Sequence, residues 1–202
     1  MVNVSQFIQC FPAEIITEGR NPWDITSSIV EIITGIIPSL NNDFRITDGI
    51  AVHTTAVIEE SVTLKSPVII GPNCFIGAHA YLRGGVYLAN NVSIGPGCEI
   101  KSSIICKHSA LAHFNFIGDS IIGSHVNFEA GSVTANHYNE RIDKAIFVNY
   151  NGSIIDTGIT KFGSLVGDNS RIGANAVLSP GSMLNLNSIV KRLELVEQVK
   201  MY

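Results

Sequence analysis

The stretch Leu64–Ile100, LKSPVIIGPNCFIGAHAYLRGGVYLANNVSIGPGCEI, decides the fold. Large aliphatic residues recur in it at every sixth position: Leu64, Ile70, Ile76, Leu82, Leu88, Ile94 and Ile100. Val52 and Ile58 extend the column backwards. Four positions after each comes a small or β-branched residue, in the series Ala56, Val62, Val68, Cys74, Ala80, Val86, Val92 and Cys98. Gly, Asn, Pro, Ser and charged residues separate the two series, as in Ile70-Gly71-Pro72-Asn73-Cys74. A helix would space its apolar residues by three and four, and a half-exposed strand by two. A strict six fits neither, and it is the hexapeptide period of a parallel β-helix. Each hexapeptide makes a short strand and a corner. The large residue points inward, the small one fills the corner, and three hexapeptides close one triangular coil.

Outward from this stretch the period loosens and then returns. It continues through Cys106, Ala112, Ile117, Ile122, Phe128 and Thr134 with two steps of five, and is strict again at Val166, Ile172, Leu178, Leu184 and Val190. The interruption between places a loop excursion within about 137–164, and a long loop in a repeat protein is more often functional than idle. Upstream, Asn21-Pro22-Trp23-Asp24 reads as a helix start, and Ile25, Ile29, Ile32, Ile33 and Ile36 follow helical spacing. The expected organisation is a helical segment over 1–45 capping the open end of the solenoid, a β-helix over 46–190, and a tail over 191–202. The fold class is all-β.

Composition agrees and narrows the function. The 202 residues are 46% hydrophobic and 15% charged, ample for a packed core and unlike a disordered chain. A net charge of -4 argues against a general nucleic-acid binder. No apolar run approaches the roughly 20 residues that cross a bilayer, and the N-terminus lacks a basic region before an apolar segment. Cys10, Cys74, Cys98 and Cys106 form no C-x-x-C pair and read as reduced, buried thiols. A cytoplasmic protein with no nucleic-acid or membrane partner is expected.

The period also places charged side chains. Lys65, Arg83 and Lys101 lie eighteen apart, each directly after an inward aliphatic residue, so they form an outward ladder on successive coils. Unit charges on strands about 4.8 Å apart repel by about 1 kcal/mol in water. Such a ladder is either a solvated row of splayed side chains or an anion site. His113, after Ala112, is expected to face outward.

Residues 81–136 carry Tyr-Leu-Arg-Gly-Gly, Glu-Ile-Lys, His-Phe-Asn-Phe-Ile-Gly-Asp, Val-Asn-Phe and Thr-Ala-Asn. They resemble the acetyltransferase half of the bifunctional glucosamine-1-phosphate acetyltransferase/uridylyltransferases. Val148-Asn149, Gly152, Asp156-Thr157-Gly158 and Gly167-Asp168 look like the archaeal members, among them sugar-1-phosphate nucleotidylyltransferases with a β-helix tail. The chain is expected to lack the nucleotidyltransferase half, since it has no Gly-rich phosphate loop near its start.

The resemblance implies a left-handed β-helix, a homotrimer with sites between subunits, and acetyl-CoA as co-substrate with no metal. It implies N-acetylation of an amino-sugar phosphate or nucleotide-linked amino sugar. Arg83 and Lys101 would bind the sugar phosphate, and His113 would be the base. Asn127 and Asn136 would hold the amino sugar and orient its amine, with Asn136 counted as catalytic. Three features depart from the family. Phe116, at a substrate-binding position, replaces a usual Tyr, Glu129 replaces a Gly, and the regular hexapeptides stop near Val190. Glu129 is expected to contact His113 and modulate it. Lys191 and Arg192 are candidates for coenzyme phosphates. Two other readings stand: a non-catalytic β-helix that binds sugar phosphate or serves assembly, and a γ-carbonic-anhydrase-like zinc protein suggested by His108 and His113 five apart.

Overall fold

The computed structural model describes residues 1–200; the last two residues of the 191–202 tail lie outside the described residues. The inward columns build three faces of parallel strands. The first face stacks Ile50–His53, Val68–Ile70, Ile121–Ile122, Ser164–Val166 and Ser182–Leu184, with the later halves of Tyr81–Leu88 and Glu99–Ile105 between them. The second runs from Val57–Ile58 through Phe75–Ile76, Ser93–Ile94, Ala110–Leu111, Asn127–Phe128 and Arg171–Ile172 to Ile189–Val190. The third begins at Thr63–Leu64 and ends with Phe116–Gly118, Val133–Thr134, Val177–Leu178 and Leu195–Val196. A strand at Leu195–Val196 means that the coil runs past Val190, into the expected tail. Among the described residues no helix is long and apolar enough to cross a membrane.

Register shows where the period breaks. Leu82 pairs with Ile100 and Arg83 with Lys101, eighteen positions on, whereas Leu88 pairs with Ile105, seventeen on. The coil loses its residue at the corner where Arg83-Gly84-Gly85-Val86 lies over Lys101-Ser102-Ser103, marked by an irregularity between Arg83 and Val86. The shortened step is therefore Ile100 to Ile105. This corrects the expected inward pair Cys106 and Ala112: Ile105 and Leu111 fill the inner core, while Cys106 packs in an outer cluster. The second short step, Ile117 to Ile122, is where the spacing put it. Thr134 is fully buried at an inward position because its hydroxyl is used by the Gly118 N–H (3.0 Å) and the Ser120 hydroxyl (3.0 Å).

An outer cluster positions the N-terminal segment. One register column of the first face points out of the coil, formed by Ala51, Ile69, Tyr87, Ile104, Ile121, Leu165 and Met183. Such an apolar face would be costly in water, at about 25 cal/mol per Å². Helices α1 (Pro22–Ser27) and α2 (Ile29–Ile36) cover it with Trp23, Ile25, Ile29 and Ile33. The segment expected as one end cap is thus two helices laid along a flank. Asp24 accepts a hydrogen bond from the Asn21 N–H (2.9 Å) at the start of α1. Gly85, at φ +87, admits α2: a Cβ there would sit 2.8 Å from Ile29 Cγ2. The edge of the first coil is instead paired antiparallel by strand Phe44–Thr47. The excursion contains an antiparallel hairpin, Phe147–Tyr150 with Ser153–Asp156, and the coil resumes when Ile122 pairs with Val166.

Stacked corners leave little room beside the backbone. A Cβ on Gly95 would lie 1.5 Å from the Ala112 carbonyl oxygen, whereas one on the exposed helical Gly35 would meet nothing within 4 Å. Gly95→Ala is expected to destabilise the protein by about 1–3 kcal/mol, and Gly35→Ala to stabilise it by about 0.5–1 kcal/mol. Urea denaturation midpoints of the two variants check the opposite signs.

Candidate functional site

The cationic ladder exists as a corner where the third face turns into the first. Arg83 and Lys101 are direct register partners on adjacent strands, with exposed Lys65 in line one coil earlier. The like charges are not left to repel. Arg83 donates through Nε to Glu99 Oε1 at 2.7 Å, with Nη2 on the same oxygen at 2.6 Å. Lys101 Nζ sits 2.6 Å from Asp119 Oδ2, and the two side chains are only 17% and 10% exposed. Burial keeps the Lys101 pair out of the screening that weakens surface pairs.

Asp119 ties this lysine to a second expected residue. Its Oδ2 also accepts a hydrogen bond from Asn136 Nδ2, and Asn136 Oδ1 lies 3.2 Å from His137 Nδ1. Gly118 leaves the space in which the Phe116 ring and the Asn136 amide meet: its Cβ would fall 2.7 Å from Phe116 Cζ and 3.0 Å from Asn136 Cγ. Lys101, Phe116 and Asn136 are thus brought together around Asp119, with Arg83 one coil away. Sequence reading passed over Asp119 and His137. Asp119 carried a signal, since it closes the Phe-Ile-Gly-Asp run one coil after Lys101.

Asn127 lies elsewhere. It is exposed on the second face, along a groove of about 520 Å³ lined also by Glu129, Arg171, Ile172, Lys191 and Arg192. Glu129 Oε2 and Oε1 accept from Arg192 Nε and Nη2, both at 2.8 Å, and Oε2 accepts from the Ala174 N–H at 2.9 Å. These donors hold the Glu129 carboxyl below the usual carboxylate range, the Arg192 hydrogen bonds contributing most. The contact expected between Glu129 and His113 is replaced by this pair. Because Leu111 rather than Ala112 pairs with Phe128, Glu129 stacks over Ala112.

His113 is exposed at the corner joining the second and third faces, followed by Phe114 at φ +53. No hydrogen bond engages its ring among the described residues. Its position falls between the Lys101 cluster and the Asn127 groove, so one chain does not gather all the expected residues into a single pocket. His108 stands at a different corner from His113, stacked on His125 with ring centroids 4.7 Å apart. Among the described residues no three His, Cys, Asp or Glu side chains form a metal-ligand set. Cys74, Cys98 and Cys106 are buried free thiols, while Cys10 is exposed, unlike the expectation. Burial pushes the Cys74 thiol up to about 11, which keeps it protonated and inert.

Residues 46–137 match the GMPPB C-terminal domain, and residues 163–181 match the hexapeptide repeat of succinyl-transferase. The bifunctional protein GlmU of Methanococcus vannielii is 35% identical over 178 residues, covering 85% of this chain and 42% of that protein. A bifunctional sugar-1-phosphate nucleotidylyltransferase/acetyltransferase of Sulfurisphaera tokodaii is 33% identical over 166 residues, covering 79% of this chain and 41% of its own length. The chain spans about two-fifths of the length of these curated relatives. Likeness to a solved GDP-perosamine N-acetyltransferase of Caulobacter crescentus is remote, with 18% identity and a TM-score of 0.20 over 69% of this chain and 52% of that one. The stacked hexapeptide coils and the matched residues make this chain a hexapeptide-repeat β-helix protein related to GlmU.

Proposed function

We propose that the chain is an acetyl-CoA-dependent N-acetyltransferase acting on an amino-sugar phosphate or a nucleotide-linked amino sugar. The observation that carries this reading is the corner where Arg83 and Lys101 stand in register, with Asp119 and Asn136 bonded into it. Two cations on adjacent strands offer a phosphate two charge-assisted hydrogen bonds at once. The phosphate would enter by replacing Glu99 and sharing Lys101 with Asp119. Relatives named as nucleotidylyltransferase/acetyltransferases support a sugar-phosphate ligand.

In the proposed step the substrate amine attacks the thioester carbonyl, His113 takes the proton from the attacking nitrogen, and the coenzyme departs as its thiolate. Imidazole suits this, because its ordinary pKa of about 6.5 leaves it free to accept a proton at neutral pH. Binding both substrates converts an encounter into an oriented reaction. The separation of Asn127 from the Lys101 corner within one chain supports a homotrimer, in which neighbouring copies would contribute different faces to each site.

Phe116 favours a second reading, a non-catalytic sugar-phosphate-binding module, because it offers no hydroxyl to a substrate. Release of free thiol from acetyl-CoA in the presence of glucosamine-1-phosphate separates the two: sugar binding without thiol release supports the module and sinks the enzyme.

Within the enzyme reading, His113→Ala is expected to lower kcat by about 10²–10⁴-fold with the thermal midpoint retained. Asp119→Asn keeps the shape and removes the charge that positions Lys101. It is expected to raise KM for the sugar phosphate roughly tenfold while changing kcat less. Steady-state kinetics on both variants check the split, and a pure kcat loss for Asp119→Asn would remove its assignment as a phosphate-site positioning residue.

A further inference from the structure

The second-face groove contains a bond that the reaction above does not use. Phe128, Ile172 and Val190 are stacked register partners, so Glu129 and Arg192 belong to coils separated by one intervening turn, at Gly173-Ala174. Arg192 reaches back across that turn to Glu129, and the carboxylate is also held from below by the Ala174 N–H. The crossing is made where the intervening coil has no side chain: a Cβ on Gly173 would fall 2.4 Å from the Arg192 backbone nitrogen. Three hydrogen bonds therefore converge on one carboxylate over the floor of the groove.

The rest of the groove is unbalanced in charge. Arg171 and Lys191 line it with no ion pair among the described residues, and Glu129 is its one acidic lining residue. Of three cations in the groove, only Arg192 is neutralised. A phosphate arriving there finds two exposed cations ready and a third held by an internal substitute for itself. The same carboxylate occupies a backbone N–H that a ligand carbonyl would otherwise reach.

We infer that Glu129 and Arg192 form a clasp over this groove, which a pyrophosphate-bearing ligand opens by taking the guanidinium from the carboxylate. The ligand is the phosphate-bearing part of coenzyme A, which rests on the acetyltransferase reading given above. Opening exchanges one anionic partner of Arg192 for another and frees the Ala174 N–H, so Glu129 sets the threshold for ligand entry. An isolated surface pair would not do this, since it would stand apart from unpaired cations and from a backbone donor inside a groove.

The test is calorimetric binding of sodium pyrophosphate and, separately, of coenzyme A to the full chain and to the variants Glu129→Gln, Arg192→Gln and the double variant. Glu129→Gln is expected to tighten both probes about threefold to fivefold, the scale of an exposed ion pair, and Arg192→Gln to weaken them. In the Arg192→Gln background the gain from Glu129→Gln should vanish, because the clasp has no second half. An equal gain in both backgrounds would mean that Glu129 acts through its field alone, and would overturn the clasp, as would no gain in either. If pyrophosphate shows the dependence and coenzyme A binds to no variant, the clasp stands and the coenzyme reading falls. Failure of every variant to bind either probe overturns the clasp.

Discussion

Closure of each coil on three inward aliphatic columns is the constraint from which the rest follows. A parallel strand two or three residues long has almost no stability alone, so each one persists only because the coils before and after it place the same residue type over the same spot. Register is then a single property of the whole stack. Loss of one residue at the corner over Ser102 and Ser103 moves every downstream side chain by one place. It puts Ile105 and Leu111 into the core and brings Lys101 over Gly118 beside Asp119, while the second short step, Ile117 to Ile122, seats Glu129 over Ala112.

Stacking also concentrates charge, because a residue repeated every coil becomes a column at strand spacing. The chain resolves this by interleaving. Glu99 answers Arg83 and Asp119 answers Lys101, each carboxylate lying beside the cation it neutralises. In the second-face groove a carboxylate answers only one of three cations. The two places differ in chemistry for that reason: the corner is a network of matched ion pairs, the Lys101 pair buried and the Arg83 pair half-buried, and the groove is an open and net positive surface.

The first face shows that a solenoid can carry two cores. Its inward residues fill the coil, while its outward Ile69, Ile104 and Ile121 demand a cover of their own. The N-terminal helices supply that cover, and Trp23 meets Phe162 edge-on at 5.9 Å, tying the N-terminal segment to the point where the coil resumes after its excursion. The end of the coil needs hydrogen bonds rather than apolar area, which is why a strand, Phe44–Thr47, serves there.

From the sequence alone, the six-residue period determined the solenoid, its inward columns from Val52 to Ile100, the position of the excursion and the alignment of Arg83 with Lys101. Each of these is a consequence of spacing, and spacing is a property of the chain. Which residue the corner would drop was not, because Ile104, Ile105 and Cys106 are all apolar enough to point inward; stacking against Leu88 chose Ile105. Nor could spacing identify Asp119 as the link between Lys101 and Asn136, or Arg192 as the partner of Glu129. Those pairs are separated by tens of residues or by a corner of altered length. Only the completed stack, in which distance is measured in strands rather than in sequence, could bring them into contact.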